Sequence, residues 1–217
     1  MSSRVLFGVA GLGLLFAQWS CESTTDPDVF VAGEAQFPLD SWLVTQDFGV
    51  WNSNWDGYHL AEDVDARGGD PVYTIADGVV AGIFTGVQGY EAVMLIEHRF
   101  DELSVVSLYG HVSTRRGFEV SEGEAVSKGD LIAYIADDDE DGGSWGPHLH
   151  FGIRTGRYSL AERICGYWLY VGYTRVCPGI THEEHRALWL DPTDFIVSHG
   201  GRIPVIFGVG TPLVETY

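Results

Sequence analysis

The chain has 217 residues, of which 45% are hydrophobic and 20% are charged, so it is long enough to bury a core and does not have the composition of a disordered protein. It carries 31 acidic residues against 12 lysines and arginines, which gives a formal net charge of −19. A surface of this sign repels phosphate backbones and anionic lipid headgroups, and the composition therefore argues against a nucleic-acid-binding protein.

The N-terminus is typical of an export signal. An apolar run of thirteen residues, Val5–Ala17, is too short to span a bilayer and predicts that residues 1–20 are a signal peptide. Cys21 follows directly, as in a bacterial lipoprotein, and is predicted to be lipidated, with ordinary cleavage after Ser23 as the alternative. Residues 21–36 are polar and predict a tether. We therefore expect a protein of the bacterial cell envelope, either periplasmic or membrane-anchored, with secretion as the second possibility.

The three cysteines fit this location. Cys165 and Cys177 lie twelve positions apart in one loop-rich stretch, and an exported protein is expected to pair them as a disulfide. Cys21 is then the odd cysteine, which has a use as the lipid attachment site. The alternative is that all three are free thiols.

Short β-branched runs separated by Gly, Asp and Asn follow from about residue 71. Val79–Phe84 comes after Asp77-Gly78, and Ala92–Glu97 is joined to Leu103–Tyr109 by a turn near Phe100–Glu102. No stretch before residue 160 has sustained helical periodicity. The sequence therefore predicts a mainly β fold with antiparallel strands.

One short helix is predicted near the C-terminus. Thr181–Glu184 reads Thr-His-Glu-Glu, a capping box, and the helix is expected to end before Asp191. His182 and His185 are then expected on its surface. The aromatic residues at 42–58 are assigned mostly to core packing, and His98 and His199 to structural positions.

The sequence Gly146-Pro-His-Leu-His-Phe151 contains the strongest candidate site. On a strand, side chains alternate between faces, so His148 and His150 project together while Leu149 and Phe151 point into a core. Without other evidence, such a pair is more often part of a solvated polar strand face. A functional site requires further metal-binding or catalytic residues elsewhere in the chain. His59 and Asp63 lie four apart, a spacing that suits two zinc ligands completed by a remote third.

Three further features carry weaker signals. The acidic run 137–141 is expected to be a solvated loop, with an influence on substrate choice or a calcium site as minor alternatives. Trp145 is a candidate wall of a groove. Lys128 lies in a turn that resembles the hybrid motif of biotinyl and lipoyl carrier domains, which raises the alternative of a carrier lysine.

Taken in order, these motifs resemble the lysostaphin-type (LytM-like) zinc peptidoglycan endopeptidases, which have a duplicated hybrid-motif fold. The resemblance covers roughly residues 37–197. Any single motif is weak, but the ordered set is specific. The matching segments are His59 with Asp63, Gly69–Val72, Ala76–Val80, Tyr109–His111, Val126–Ile132, Gly146–Phe151 and Trp189–Pro192.

The resemblance implies that His59, Asp63 and His150 bind Zn²⁺ and that His111 and His148 are unliganded catalytic histidines. Three ligands leave an open metal position for water, whose pKa falls to about 7 there. The sequence has no His-Glu-x-x-His motif whose glutamate could act as the base, so the imidazoles must act as acid and base. The implied activity is hydrolysis of peptide bonds in peptidoglycan cross-links or stems. The alternative is a non-catalytic envelope protein that activates amidases; the five intact positions favour the enzyme.

The same resemblance implies a domain layout and a groove. The zinc metallopeptidase domain is expected at 37–199, with an inserted disulfide loop and short helix at 158–188 and a tail at 200–217. Its fold is expected to be an antiparallel β-sheet or barrel-sandwich with an open groove and one short C-terminal helix. Tyr109 and Trp145 are expected to line that groove.

Overall fold

The computed structural model describes residues 31–87, 89–140, 145–170 and 172–204. The predicted signal peptide, Cys21, most of the tether, Asp141 and most of the tail lie outside these ranges.

The described chain forms fourteen strands and two short helices. The strands are β1 (Val44–Gln46), β2 (Trp51–Asn52), β3 (Gly57–Tyr58), β4 (Glu62–Asp65), β5 (Pro71–Tyr73), β6 (Gly78–Val87), β7 (Glu91–Phe100), β8 (Leu103–Gly110), β9 (Ala125–Val126), β10 (Leu131–Tyr134), β11 (His148–Thr155), β12 (Arg163–Ile164), β13 (Tyr167–Trp168) and β14 (Trp189–Leu190). The helices are α1 (His182–Arg186) and α2 (Pro192–Ser198).

One large sheet organises the molecule. Its strands follow the order β1-β4-β11-β8-β7-β6-β9, β14 pairs with β11, and every pairing is antiparallel. In the described residues this path does not close into a barrel. The prediction of a mainly β, antiparallel fold is confirmed, as is the tight turn between β7 and β8.

Apolar side chains cover both faces of this sheet. Along β7, Ala92, Met94 and Ile96 belong to one buried cluster, while Val93 and Leu95 belong to another. Because neighbouring residues of a strand point to opposite faces, this alternation means that the middle of the sheet is packed on both sides. The sheet is therefore a rigid base for any side chains at its edge.

The two helices follow the last strands of the sheet. Thr181 caps α1 through a complete capping box, as predicted. The second helix was not predicted, although Asp191 accepts a hydrogen bond from the Asp194 amide and Pro192 occupies the first turn, both ordinary signs of a helix start. Neither helix of the described part is long and apolar enough to cross a membrane.

A buried polar chain ties α2 to the sheet. Trp42 Nε1 donates to Thr193 Oγ1 at 2.8 Å, and that hydroxyl donates to Glu62 Oε2 at 2.7 Å. Burial raises the pKa of Glu62 to about 7, although the Thr193 hydrogen bond opposes the rise. The three side chains fix the C-terminal helix over β4.

The segment predicted to be an insertion, residues 158–188, contains a disulfide between Cys165 and Cys177, which confirms the predicted pairing. Inside the loop that this disulfide closes, the backbone pairs with the residues just before β4: the Leu60 amide donates to Gly172 O, and the Thr174 amide donates to Tyr58 O, both at 2.9 Å. The insertion thus lies directly against the first predicted metal ligand.

Two described histidines outside the predicted site, His98 and His185, are buried. His98 is buried as expected, with Nδ1 donating to Asp77 O at 3.0 Å and Nε2 within 2.8 Å of the Ser107 hydroxyl. His185 corrects the prediction of a surface residue, because it is fully buried and its Nδ1 accepts the Arg175 amide at 2.8 Å. The helix packs this histidine onto the inserted segment.

The acidic run is held by two arginines in its described part, residues 137–140. Asp137 pairs with Arg116 at 2.8 Å, and Arg115 pairs with Asp139 at 3.1 Å. Glu140 accepts hydrogen bonds from the Ser113 hydroxyl. Three of the four described carboxylates of the run, those of Asp137, Asp139 and Glu140, are therefore bound to neighbouring side chains.

Candidate active site

The strand register brings the predicted site residues into one row. In the large sheet, His150 of β11 lies opposite Asp63 of β4 on one side and Gly110 of β8 on the other. Residues directly opposite each other share a face, so Asp63 and His150 project together, and His148, two positions earlier, projects with them. Leu149 lies in the core on the other face, as predicted.

Three donor atoms converge at this point. Asp63 Oδ1 lies 2.8 Å from His150 Nδ1 and 3.3 Å from His59 Nε2, and the two imidazole nitrogens are 3.2 Å apart. The ligand atoms of a tetrahedral zinc site are roughly 3.3 Å apart when metal–ligand distances are about 2.0–2.1 Å. The residues present therefore fit a zinc ion without rearrangement, and among the described residues they form a group able to hold a metal.

The electrostatics of the cluster favour the forms that bind a metal. Burial opposes the charge on Asp63, but hydrogen bonds from His150 and His59 outweigh it and hold the pKa of that carboxyl well below its usual range. Burial lowers the pKa of His150 to about 4 although Asp63 works in the opposite direction. At neutral pH the site thus presents a carboxylate and a neutral imidazole, the protonation states that coordination requires.

Each metal-facing histidine is oriented by a contact at its other nitrogen. His59 Nδ1 donates to Asp47 O at 3.2 Å, so its Nε2 lone pair points at the cluster. His150 faces the cluster with Nδ1, and its Nε2 lies 3.1 Å from the Tyr90 hydroxyl. Such outer contacts fix the tautomer of a ligand and raise its basicity. Sequence reasoning did not find either partner.

Tyr90 reaches His150 because two glycines leave room for it. A Cβ at position 110 would lie 2.7 Å from the Tyr90 ring, and a Cβ at position 172 would overlap its hydroxyl and lie 3.0 Å from His150 Cε1. A side chain at either position would push Tyr90 or His150 out of place. The inserted segment, which supplies Gly172, is therefore part of the packing around this ligand.

The second pair of predicted histidines lies beside the three donors. The rings of His111 and His148 have centroids 4.2 Å apart. His148 Nδ1 donates to Gly146 O at 2.9 Å, which leaves the lone pair on Nε2, 3.8 Å from Asp63 Oδ1. His111 follows the end of β8 with a φ of 60°, an uncommon backbone conformation for a residue other than glycine that turns the chain at this point. All five predicted histidine and aspartate positions are thus brought together.

Comparison with known proteins agrees with this geometry. Residues 57–161 match the model of peptidase family M23. The matched segment, just under half of the chain, is a domain of this family. Peptidases of family M23 depend on zinc, so Zn²⁺ is the metal that the three donors fit. No curated protein is significantly similar to the chain.

Several solved structures have a fold similar to that of this chain. A structure of LytU is 24% identical with a TM-score of 0.51, covering 74% of this chain and 88% of that one. The antimicrobial peptidase lysostaphin from Staphylococcus simulans is 20% identical with a TM-score of 0.54, and an NMR solution structure of lysostaphin is 21% identical with the same score. They cover 85% and 84% of this chain, which spans 60% and 61% of theirs.

A groove of about 500 Å³ lies over the three converging donor side chains. Trp145 lines it, 38% exposed and in edge contact with His111 at 6.0 Å. Tyr109 is a correction: it is completely buried, its hydroxyl accepts the Ile75 amide at 3.1 Å, and it lies in the core on the opposite face of the sheet.

The opposite wall of the groove comes from regions that the sequence assigned to packing or to an insertion. Trp55 is 42% exposed, and its ring stacks on Tyr173 at 5.5 Å, which in turn packs on His59 at 5.1 Å. Of the three tryptophans in the segment 42–58, Trp42 lies in the core, whereas Trp51 and Trp55 are exposed. The remaining wall residues from the insertion are Trp168, Tyr170, Gly172 and Arg175.

Proposed function

We propose that this protein is an exported zinc metalloendopeptidase that hydrolyses peptide bonds in the cross-links or stems of bacterial peptidoglycan. The observation that carries the proposal is the convergence of His59 Nε2, Asp63 Oδ1 and His150 Nδ1 within 3.3 Å of one another, next to two further histidines in an open groove. The fold shared with LytU and with the antimicrobial peptidase lysostaphin supports it.

In this proposal His59, Asp63 and His150 hold the zinc. When bound, the zinc supplies a Lewis acid that polarises the scissile carbonyl and lowers the pKa of a coordinated water. His59 and His150 are oriented through Asp47 O and the Tyr90 hydroxyl. The protein's part is to keep this donor set fixed.

His148 is assigned the role of general base. Its Nδ1 proton is fixed on Gly146 O, so the Nε2 lone pair faces the cluster and can take a proton from the attacking water. The imidazolium that forms lies 3.8 Å from the Asp63 carboxylate and can return the proton to the leaving amine.

His111 is assigned to the stabilisation of the oxyanion. It is buried between Tyr90 and His148, with ring centroids 5.1 Å and 4.2 Å away, and this packing fixes the ring in one orientation. A donor that is already in place when negative charge develops costs no reorganisation during the reaction. With no glutamate base of the His-Glu-x-x-His type in this chain, the two imidazoles share the proton transfers and the stabilisation of charge.

The export of this peptidase is part of the proposal. Residues 1–20 act as the signal peptide, Cys21 is the candidate lipid attachment site, and residues 37–199 form the catalytic domain. The disulfide between Cys165 and Cys177 supports an oxidising compartment, since such bonds do not persist in a reducing cytoplasm.

The test compares zinc content and muropeptide release from purified peptidoglycan for the wild-type protein, Asp63→Ala and Asp65→Ala. We expect Asp63→Ala to lose both zinc and activity. Asp65, on the same strand and exposed, is the matched control and should keep both. The proposal is refuted if the zinc-loaded wild type releases no muropeptides from peptidoglycan of either the direct or the bridged cross-link type. Stimulation of an amidase by that inactive protein would point to the envelope-activator alternative.

A further inference from the structure

One basic side chain stands in the groove. Among the described residues that line it, Arg175 is the single arginine or lysine. Its Nη1 donates to Trp55 O at 3.0 Å, and its guanidinium lies 5.2 Å from the centre of the Tyr167 ring. The Nε atom is buried and has no hydrogen-bond partner among the described residues. Because Nε is out of a ligand's reach, the donor capacity left for a ligand is that of Nη2 and the second Nη1 hydrogen, for which the described residues supply no acceptor.

The charge of Arg175 is likewise unpaired within the described part of the chain. Some arginines in this acidic protein have carboxylate partners: Arg154 pairs with Glu162 at 3.1 Å, and Arg116 pairs with Asp137 at 2.8 Å. Arg175 differs from the other unpaired arginines in that it lines the groove. None of the ion pairs among the described residues includes Arg175. A half-buried guanidinium without a counterion is costly, and it is best satisfied by a planar carboxylate that accepts two hydrogen bonds.

The backbone that carries Arg175 is fixed on three sides. The Arg175 amide donates to His185 Nδ1 at 2.8 Å, and the preceding Thr174 is hydrogen-bonded to Tyr58 through both its amide and its hydroxyl. The Cys165–Cys177 disulfide closes the segment two residues further on. A binding group on such a support loses little conformational entropy when a ligand arrives.

We propose that Arg175 binds a free carboxylate of the peptide substrate and makes the enzyme select acidic peptides over uncharged ones. This inference rests on the proposed peptidase function and adds the substrate class to it. The carboxylate belongs to a residue near the scissile bond, because Arg175 shares one groove with Asp63, His148 and His150. A neutral bridge peptide offers Arg175 no such partner.

The test uses two synthetic peptides that differ only in one group, a free carboxylate in the first and a carboxamide in the second. For the zinc-loaded full-length protein we expect a KM for the acidic peptide about 10- to 100-fold below that for the amide, the range of a charge-assisted pair. In Arg175→Gln this ratio should fall to near one, and in Arg175→Lys it should be intermediate, since the charge remains while the planar fork is lost.

Arg163→Gln is the matched control, because Arg163 is an exposed arginine of the same insertion that does not line the groove, and its ratio should equal that of the wild type. Circular dichroism and thermal unfolding check that each variant folds. Calorimetric binding of both peptides to the zinc-loaded wild type gives a readout that does not depend on turnover or on any variant.

Equal binding of the acidic and amidated peptides by the wild type overturns the role of Arg175, as does a preference that survives in folded Arg175→Gln. A wild type that prefers the acidic peptide in binding but releases no muropeptides from peptidoglycan refutes the proposed function and leaves only the carboxylate-binding role of Arg175 supported.

Discussion

The Tyr90 hydroxyl offers the sharpest test of how the protein tunes its metal. Tyr90→Phe removes one oxygen, 3.1 Å from His150 Nε2, and keeps the ring that packs against His111 and His150 at 5.1 and 5.0 Å. When Nδ1 of His150 binds the metal, Nε2 carries the proton and the hydroxyl is its acceptor. The variant therefore isolates a single hydrogen bond to a ligand.

The size of the effect follows from burial. His150 is 4% exposed, so its Nε2 proton loses its acceptor in a site that is almost free of solvent. An unsatisfied buried donor costs about 1–3 kcal/mol. At 1.4 kcal/mol for each factor of ten, this corresponds to zinc binding that is weaker by roughly 5- to 150-fold. Loss of such outer contacts elsewhere typically costs about 10- to 100-fold in metal affinity or activity.

The assay is a zinc dissociation constant from competition with a chromophoric chelator near neutral pH. Tyr173→Phe is the control: this tyrosine also lines the groove, but its hydroxyl accepts from Gln46 and Asn52 instead of a ligand, and its zinc affinity should stay within about threefold of the wild type. If Tyr90→Phe binds zinc as tightly as Tyr173→Phe does, the hydroxyl does not orient His150 and the reasoning is wrong.

Three further predictions follow from other contacts. His150→Ala should lose zinc, whereas His148→Ala should keep zinc and lose roughly 10²- to 10⁴-fold in kcat, as metal analysis and kinetics on the same preparations will show; equal zinc loss in both would contradict the assigned roles. Burial lowers the pKa of His98 to about 4, below the 6.5 of the unfolded chain, so this histidine supports folding above pH 6.5 and its contribution of about 3 kcal/mol is lost as the pH falls towards 4. The unfolding free energy from urea titrations should therefore change less with pH between 6.5 and 4 in His98→Gln than in the wild type. An equal pH dependence in the two proteins would contradict this prediction. Thr193→Val breaks the buried bond to Glu62 and should cost about 1–3 kcal/mol in unfolding free energy without changing the zinc affinity.

The proposed metal ligands were predicted through the family resemblance, and local patterns accounted only for the shared face of one histidine pair. Strand alternation puts His148 and His150 on one face, and this depends on no distant contact. The same alternation also determines the orientation of Tyr109. It precedes Gly110, and Gly110 lies opposite His150, so Tyr109 must point to the other face, where it is found in the core. The groove assignment for Tyr109 was thus correctable from the sequence once the register was known.

The partners of the ligands were not predictable in this way. Tyr90 lies directly before β7, yet it meets His150 only because Gly172, more than eighty residues later, leaves space for its hydroxyl. The contact from His59 to Asp47 is made by a carbonyl, which every residue possesses, so no residue type marks it. Contacts of this kind are set by the packing of segments far apart in sequence, and a pattern of residue types contains no record of them.

If the two proposals hold, the insertion joins stability, metal binding and specificity in this protein. Its disulfide and its pairing with Tyr58 and Leu60 hold the segment, Gly172 then packs on the Tyr90–His150 contact, and Arg175 reaches the groove from the same stretch of backbone. A change that loosens the segment must act on all three at once. Separating the three contributions therefore requires substitutions that change only the end of a side chain, such as Tyr90→Phe and Arg175→Gln. Each of these leaves the backbone of the segment in place.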